Sequence, residues 1–226
     1  MKKTIWIWCV FVLASVSPVQ SQQIRPLAAF TELEVTDKIN VKLVASDSNY
    51  LEINGNLADK FELVQQDNSL RFKMALGYQL QGVDVYITLY HSSLAHIVAR
   101  KGAVVYNENN TLSRDSLSLS AHEGAKIALR VQADRLGVFS GTGATVQLLG
   151  KARSQYANIA LGGFYYAKEL LSDHATVVVH AGGRGEVHVA ATADMQTRAG
   201  GVIDVYGNPT ERKERKFAGG KINFVN

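Results

Sequence analysis

Cysteine is nearly absent from this chain of 226 residues: the single thiol, Cys9, lies in the first apolar segment. Once that segment is removed, no thiol remains to form a disulfide or to ligate a metal. Cohesion must then come from packing alone, which a chain of about 200 residues can supply. Proline is scarce as well, and no proline-rich, serine-rich or low-complexity stretch marks a linker between domains. Heptad-like apolar runs are missing, so long amphipathic helices are not expected. Charge of one sign is also lacking. The formal net charge is +4, and it falls to +2 without Lys2 and Lys3. A nearly balanced chain is no polycation, and no nucleic-acid partner is expected.

The one long apolar run, Ile5 to Val16, is too short to span a membrane. Lys2 and Lys3 precede it, and Ser17-Pro18-Val19-Gln20-Ser21 ends it, with Val19 and Ser21 at the positions a signal peptidase reads. Residues 1–21 are therefore read as a cleaved signal peptide, with Gln22 as the mature N-terminus. Cys9 sits inside the apolar run and not after it, so it is no lipidation site. The mature chain is expected outside the inner membrane, in the periplasm, on the outer surface or in the medium.

From Leu94 onward a glycine-centred turn recurs. Its glycines are Gly102, Gly124, Gly143, Gly162, Gly182, Gly200 and Gly219, at spacings of 22, 19, 19, 20, 18 and 19. A fixed period near twenty is the mark of a solenoid. After each glycine apolar residues alternate, as in Ala125, Ile127, Leu129 and Val131, or Ala144, Val146 and Leu148. This places them on one face of a strand. A second alternation precedes several glycines, such as Leu117 and Leu119. Each copy thus reads strand, tight turn, strand, connector, and the glycines supply the positive φ such turns require. No single copy can bury its apolar face, but stacked copies can. The fold class is all-β: a parallel β-helix-like solenoid of two facing sheets.

Residues 27–95 also read as β, without the strict glycine register. Leu33 and Val35, Val41 and Leu43, Leu51 and Ile53, and Val83 to Leu89 alternate between turns at Asn54-Gly55 and Asp67-Asn68. Residues 22–226 are taken as one domain, with 27–95 a less regular leading part that covers the first coil and 96–226 the repeats.

The opening FTELEVTDKINVKLVASDSNYLEING, the alternating DVYITLY, the glycine-turn repeats and VYGNP followed by AGGKI resemble the auto-transporter adhesin head domain called GIN. That family is best known from Bacteroidetes. The resemblance covers about residues 27–226. It implies a two-sheet solenoid, pectin-lyase-like in shape but without catalytic residues, and a role in adhesion. The sequence ends after the last repeat, so no C-terminal membrane barrel is expected.

Motifs that could carry chemistry are weak. The six histidines form no HExxH set, and His180 with His188, flanking one turn, would make a poor metal site. Asp115, Asp134, Asp173 and Asp194 recur near connectors and could gather on one edge, as in a calcium-dependent polysaccharide lyase. Turn-forming aspartates account for them equally well. Ser140-Gly141-Thr142-Gly143 fits neither a nucleophile elbow nor a dinucleotide loop. The run Glu211 to Lys216 mixes both signs and reads as a solvated loop. No catalytic, metal or cofactor site is expected. Tyr78, Tyr86, Tyr90, Tyr106, Tyr156, Tyr165, Tyr166 and Tyr206 are the surface candidates, with Tyr165 and Tyr166 the first choice for ligand contact. The expected function is an exported, non-catalytic, adhesin-like protein contacting glycans or proteins at the cell envelope. The alternatives are a polysaccharide-processing enzyme or a structural periplasmic component.

Overall fold

The computed structural model describes residues 23–225. The signal peptide read over 1–21 lies outside them. The leading strands are β1 (Gln23–Pro26), β2 (Glu32–Val35), β3 (Asn40–Ala45), β4 (Tyr50–Asn54), β5 (Phe61–Gln66), β6 (Ser69–Met74), β7 (Tyr86–His91), β8 (His96–Ala99) and β9 (Val104–Tyr106). The repeats follow as β10 (Leu112–Ala121), β11 (Lys126–Gly141), β12 (Thr145–Ala160), β13 (Phe164–His180) and β14 (Arg184–Arg198). The last coils are β15 (Val202–Tyr206), β16 (Glu211–Phe217) and β17 (Lys221–Val225). All 17 strands belong to one sheet that curls into stacked parallel coils, a β-solenoid of about 7 turns. The described residues contain no α-helix, only 3-10 turns at Ala58–Lys60 and Gly82–Asp84.

The expected connectors are not breaks. β11, β12 and β13 each run through the bend as one strand. In β11 the buried positions are Ile127, Leu129, Val131 and Ala133, then Leu136, Val138 and Ser140. The alternation slips by one residue at the exposed pair Asp134-Arg135, which lets one strand keep its apolar side inward on both flanks. The charged run Glu211 to Lys216 likewise belongs to a strand, β16, hydrogen-bonded to β14.

The first flank stacks Ile87, Val41, Val105, Ile127, Val146, Tyr165, Gly185, Ile203 and Ile222 in one column. The second stacks Leu70, Leu33, Ile97, Leu119, Val138, Ala157, Val177 and Met195. Both columns point into one core. Tyr165 is the outsized member, and Gly185, with no side chain, is its partner on the next coil. The space a side chain at Gly185 would take is filled by Ile159, Val177 and Val179, while the Tyr165 hydroxyl reaches Gln155.

Each turn holds two successive left-handed residues. Lys101-Gly102, Glu123-Gly124, Thr142-Gly143, Leu161-Gly162, Ala181-Gly182, Ala199-Gly200 and Ala218-Gly219 all have positive φ, the glycines between 69° and 87°. Gly143 illustrates the turn. The Ala144 N–H donates to the Gly141 carbonyl at 3.2 Å across it, as in a type I′ turn. Its own N–H donates to Leu161 O on the next coil at 3.3 Å, so the ladder continues through the turn. An eighth copy has no glycine. Asp37 and Lys38 take φ of 60° and 64° between β2 and β3, and Lys38 N–H donates to Lys101 O at 3.0 Å.

The leading coils do not stack in chain order. β2 lies between β6 and β8, and β3 between β7 and β9, all parallel. Beyond them, antiparallel β5 covers β6, β4 covers β7 and β1 covers β4. These strands protect the first edge of the stack.

Candidate ligand-binding face

Strand parity decides which tyrosines reach solvent. In β13, Tyr165 points inward and is fully buried. This corrects its assignment as a ligand contact. Burial pushes its phenol pKa well above the usual value, and its hydroxyl donates to Gln155 Oε1 at 2.7 Å. Gln155 Nε2 in turn donates to Ser172 Oγ at 2.8 Å, and Ser172 Oγ donates to His188 O at 2.7 Å. The ring is a core element with a satisfied polar end.

Tyr166 points the other way and is half-buried on the outer face of the first flank. Its ring stacks with Phe164, centroids 6.0 Å apart and planes 16° from parallel. The ladders bring further aromatics to that same face. Tyr106 shares its column with Tyr166 through Ala128 and Gln147. Tyr90 stacks on Tyr50 at 4.1 Å, Tyr86 is 52% exposed, and Tyr206 lies under Lys168 Nζ at 4.4 Å. Tyr50 and Phe164 were missed from the sequence. Their outward parity was the available signal, but the pairings that gather them were not. The outer face of the second flank carries Tyr156 and Phe139 among Ser118, Ser120, Asn158, Thr176 and Gln196.

Leu76, Leu80 and Val83 are exposed between β6 and β7, and Leu76 borders a shallow pocket with Arg71, Lys73, Arg100 and Glu123. A shallow groove of about 630 Å³ follows the bend and is bordered by Asp115, Asp134, Arg153, Asp173 and His188. Register sets the Arg153 strand between those of Asp134 and Asp173, and Arg153 lies 3.5 Å from Asp134. Asp194 is on the second flank, paired with Arg215 at 2.7 Å. His180 closes β13 opposite Arg198, while His188 borders the groove. Among the described residues, no group of three or more His, Cys, Asp or Glu side chains could hold a metal ion. Ser140 is buried, its Oγ 3.0 Å from the carbonyl oxygens of Ala144 and Phe164. No described helix is long and apolar enough to cross a membrane.

His91 is buried, and among the described residues neither ring nitrogen has a protein partner. Burial first, and the Arg114 guanidinium second, lower its pKa to about 4. In the unfolded chain it titrates near pH 6.5. The unfolded state thus takes up the proton first. Stability from neutral His91 is complete above about pH 6.5 and is lost as pH falls towards 4, by up to about 3 kcal/mol. Urea melts at pH 7.5, 5.5 and 4 should show this acid slope in the wild type and a shallower one in His91→Leu.

The fold and the face define a β-solenoid presenting an aromatic surface. Residues 29–209 match the family model described as "Putative auto-transporter adhesin, head GIN domain", and the chain belongs to that family. Solved structures share the fold. A "putative adhesin" from Bacteroides fragilis is 20% identical with a TM-score of 0.80, over 91% of this chain and 96% of that one. A "putative adhesin" from Parabacteroides distasonis is 17% identical with a TM-score of 0.72, over 90% and 96%. A "Putative lipid binding protein" from the same species is 12% identical with a TM-score of 0.68, over 92% and 98%. No curated protein matches the chain.

Proposed function

We propose that the protein is exported and works by binding and not by catalysis, contacting glycans or proteins at the cell envelope through the outer face of its first flank. The observation that carries this reading is the gathering of Tyr50, Tyr86, Tyr90, Tyr106, Phe164, Tyr166 and Tyr206 on one side of the solenoid. Half-exposed aromatic rings with polar tips are what a contact surface uses for area and orientation. Membership of an adhesin-type family supports the same class. The enzyme alternative would draw on Asp115, Asp134 and Asp173 along the groove, where Arg153 lies between Asp134 and Asp173 and pairs with Asp134, while Asp194 is on the second flank with Arg215.

The test is attachment of the purified protein to glycan and protein arrays and to whole cells. Tyr106→Ala with Tyr166→Ala should weaken attachment by about tenfold or more, with the melting temperature unchanged. Tyr156→Ala, on the other flank, should leave attachment intact. Equal attachment by all three proteins would refute the assignment of this face.

A further inference from the structure

We propose that the ligand of this face is an acidic glycan, a carboxylate-bearing sugar chain lying along the solenoid axis. The inference rests on the binding reading above and adds the chemical class.

Tyr106 and Tyr166 stand in one register column, three strand spacings apart, which is about 14 Å. Their rings offer electron-rich faces to the C–H faces of sugar rings. The two positions between them suit a chain that bridges the rings. Ala128 is small and leaves a shelf, and the exposed Gln147 amide can both donate to and accept from hydroxyls.

Charge then selects among sugars. Lys126 and Arg130 flank Ala128 on β11, both exposed and both on the outward side. Among the described residues neither enters an ion pair. Other cations of the face are held elsewhere: Lys168 lies over the Tyr206 ring, and Lys221 is at the far end of the stack on β17. Lys42 pairs with Glu108, and Arg184 pairs with Asp204 at 2.7 Å and with Glu186 at 3.2 Å. Glu169 stands on β13 beside the second station, two strand spacings from Arg130 in its register column and not between the stations. The uncompensated charge between the two aromatic stations is therefore positive. It lies where a chain stacked on Tyr106 and Tyr166 would carry its intervening substituents, and carboxylates there would meet a guanidinium and an ammonium.

Affinity electrophoresis of the purified protein tests this with polygalacturonate and hyaluronan as acidic glycans, hydroxyethylcellulose as a neutral one, and polyglutamate as a polyanion without sugar rings. Polygalacturonate or hyaluronan should retard the protein, less so as salt rises, and the other two polymers should not. Lys126→Gln with Arg130→Gln should weaken retardation by about tenfold, at an unchanged melting temperature. Equal retardation by hydroxyethylcellulose or polyglutamate, no retardation by either acidic glycan, or an unaffected charge variant would each overturn the proposal. The two readings fail separately. If the charge variant binds as wild type while Tyr106→Ala with Tyr166→Ala does not, the acidic class falls and the face stands. If the tyrosine variant still attaches to cells as wild type does, the face itself falls.

Discussion

Tyr165→Ala should lower the unfolding free energy by about 3–5 kcal/mol, the cost of emptying a fully buried aromatic site. The top of that range is expected. Gly185, its register partner on the neighbouring coil, contributes no side chain to the emptied site, and Ile159, Val177 and Val179 are already packed over that glycine. The truncation also strips Gln155 Oε1 of its donor in the interior. Tyr165→Phe separates the two effects. It keeps the ring and loses only the hydroxyl, and should cost about 1–3 kcal/mol for the unsatisfied carbonyl. Urea melts of both variants decide the matter. Equal costs for the two would mean that the polar chain through Gln155 and Ser172, not the ring, holds this part of the core.

Gly150→Ala is the second large effect. Gly150 lies within β12 at φ 119°, and a methyl built there would stand 2.1 Å from the Val131 carbonyl oxygen on the preceding coil. Neither group can yield, since both belong to the ladder. Backbone strain and overpacking together should cost about 3–5 kcal/mol. Gly143→Ala is the contrast. Its φ of 69° is also positive, but a methyl there meets nothing within 4 Å. Only the left-handed penalty remains, about 1 kcal/mol. Thermal and urea unfolding should therefore rank the two glycines in that order, and the reverse ranking would contradict the packing described for the bend.

The turn at Gly143 was legible because a tight two-residue turn asks for glycine and the request recurs with every coil. The same geometry at Asp37-Lys38 left no such trace. Aspartate and lysine hold the left-handed region there while Asp37 Oδ2 accepts from the Met74 N–H at 3.2 Å, a contact between residues 37 apart in sequence. The bend was misread as a connector because Gln132, Asp134 and Arg135 look like a loop. Gln132 and Arg135 are paired in the ladder, and Gln132 and Asp134 border an open groove. The insertion of β2 and β3 between strands that follow them could not be read at all. Alternation says which side of a strand is buried, and nothing about which strand lies next to it. For the candidate binding face, parity was enough to set Tyr165 and Tyr166 on opposite sides. The gathering of Tyr50, Tyr90, Tyr106 and Tyr206 around Tyr166 depends on ladder order and emerged only with the fold.

The uninterrupted strands of the repeats have a mechanical side. From Lys126↔Thr145 to Gly141↔Ala160, β11 and β12 are joined along nearly their whole lengths, and the turn adds further links between the same coils. A load applied along the strands shears all of those hydrogen bonds together, whereas a load along the solenoid axis meets the coils one interface at a time. A ligand seated on Tyr106 and Tyr166 and pulled sideways by flowing medium would tug in the stiff direction. Loaded that way, the repeats would hold their shape through the same continuity that hid the bend from the sequence.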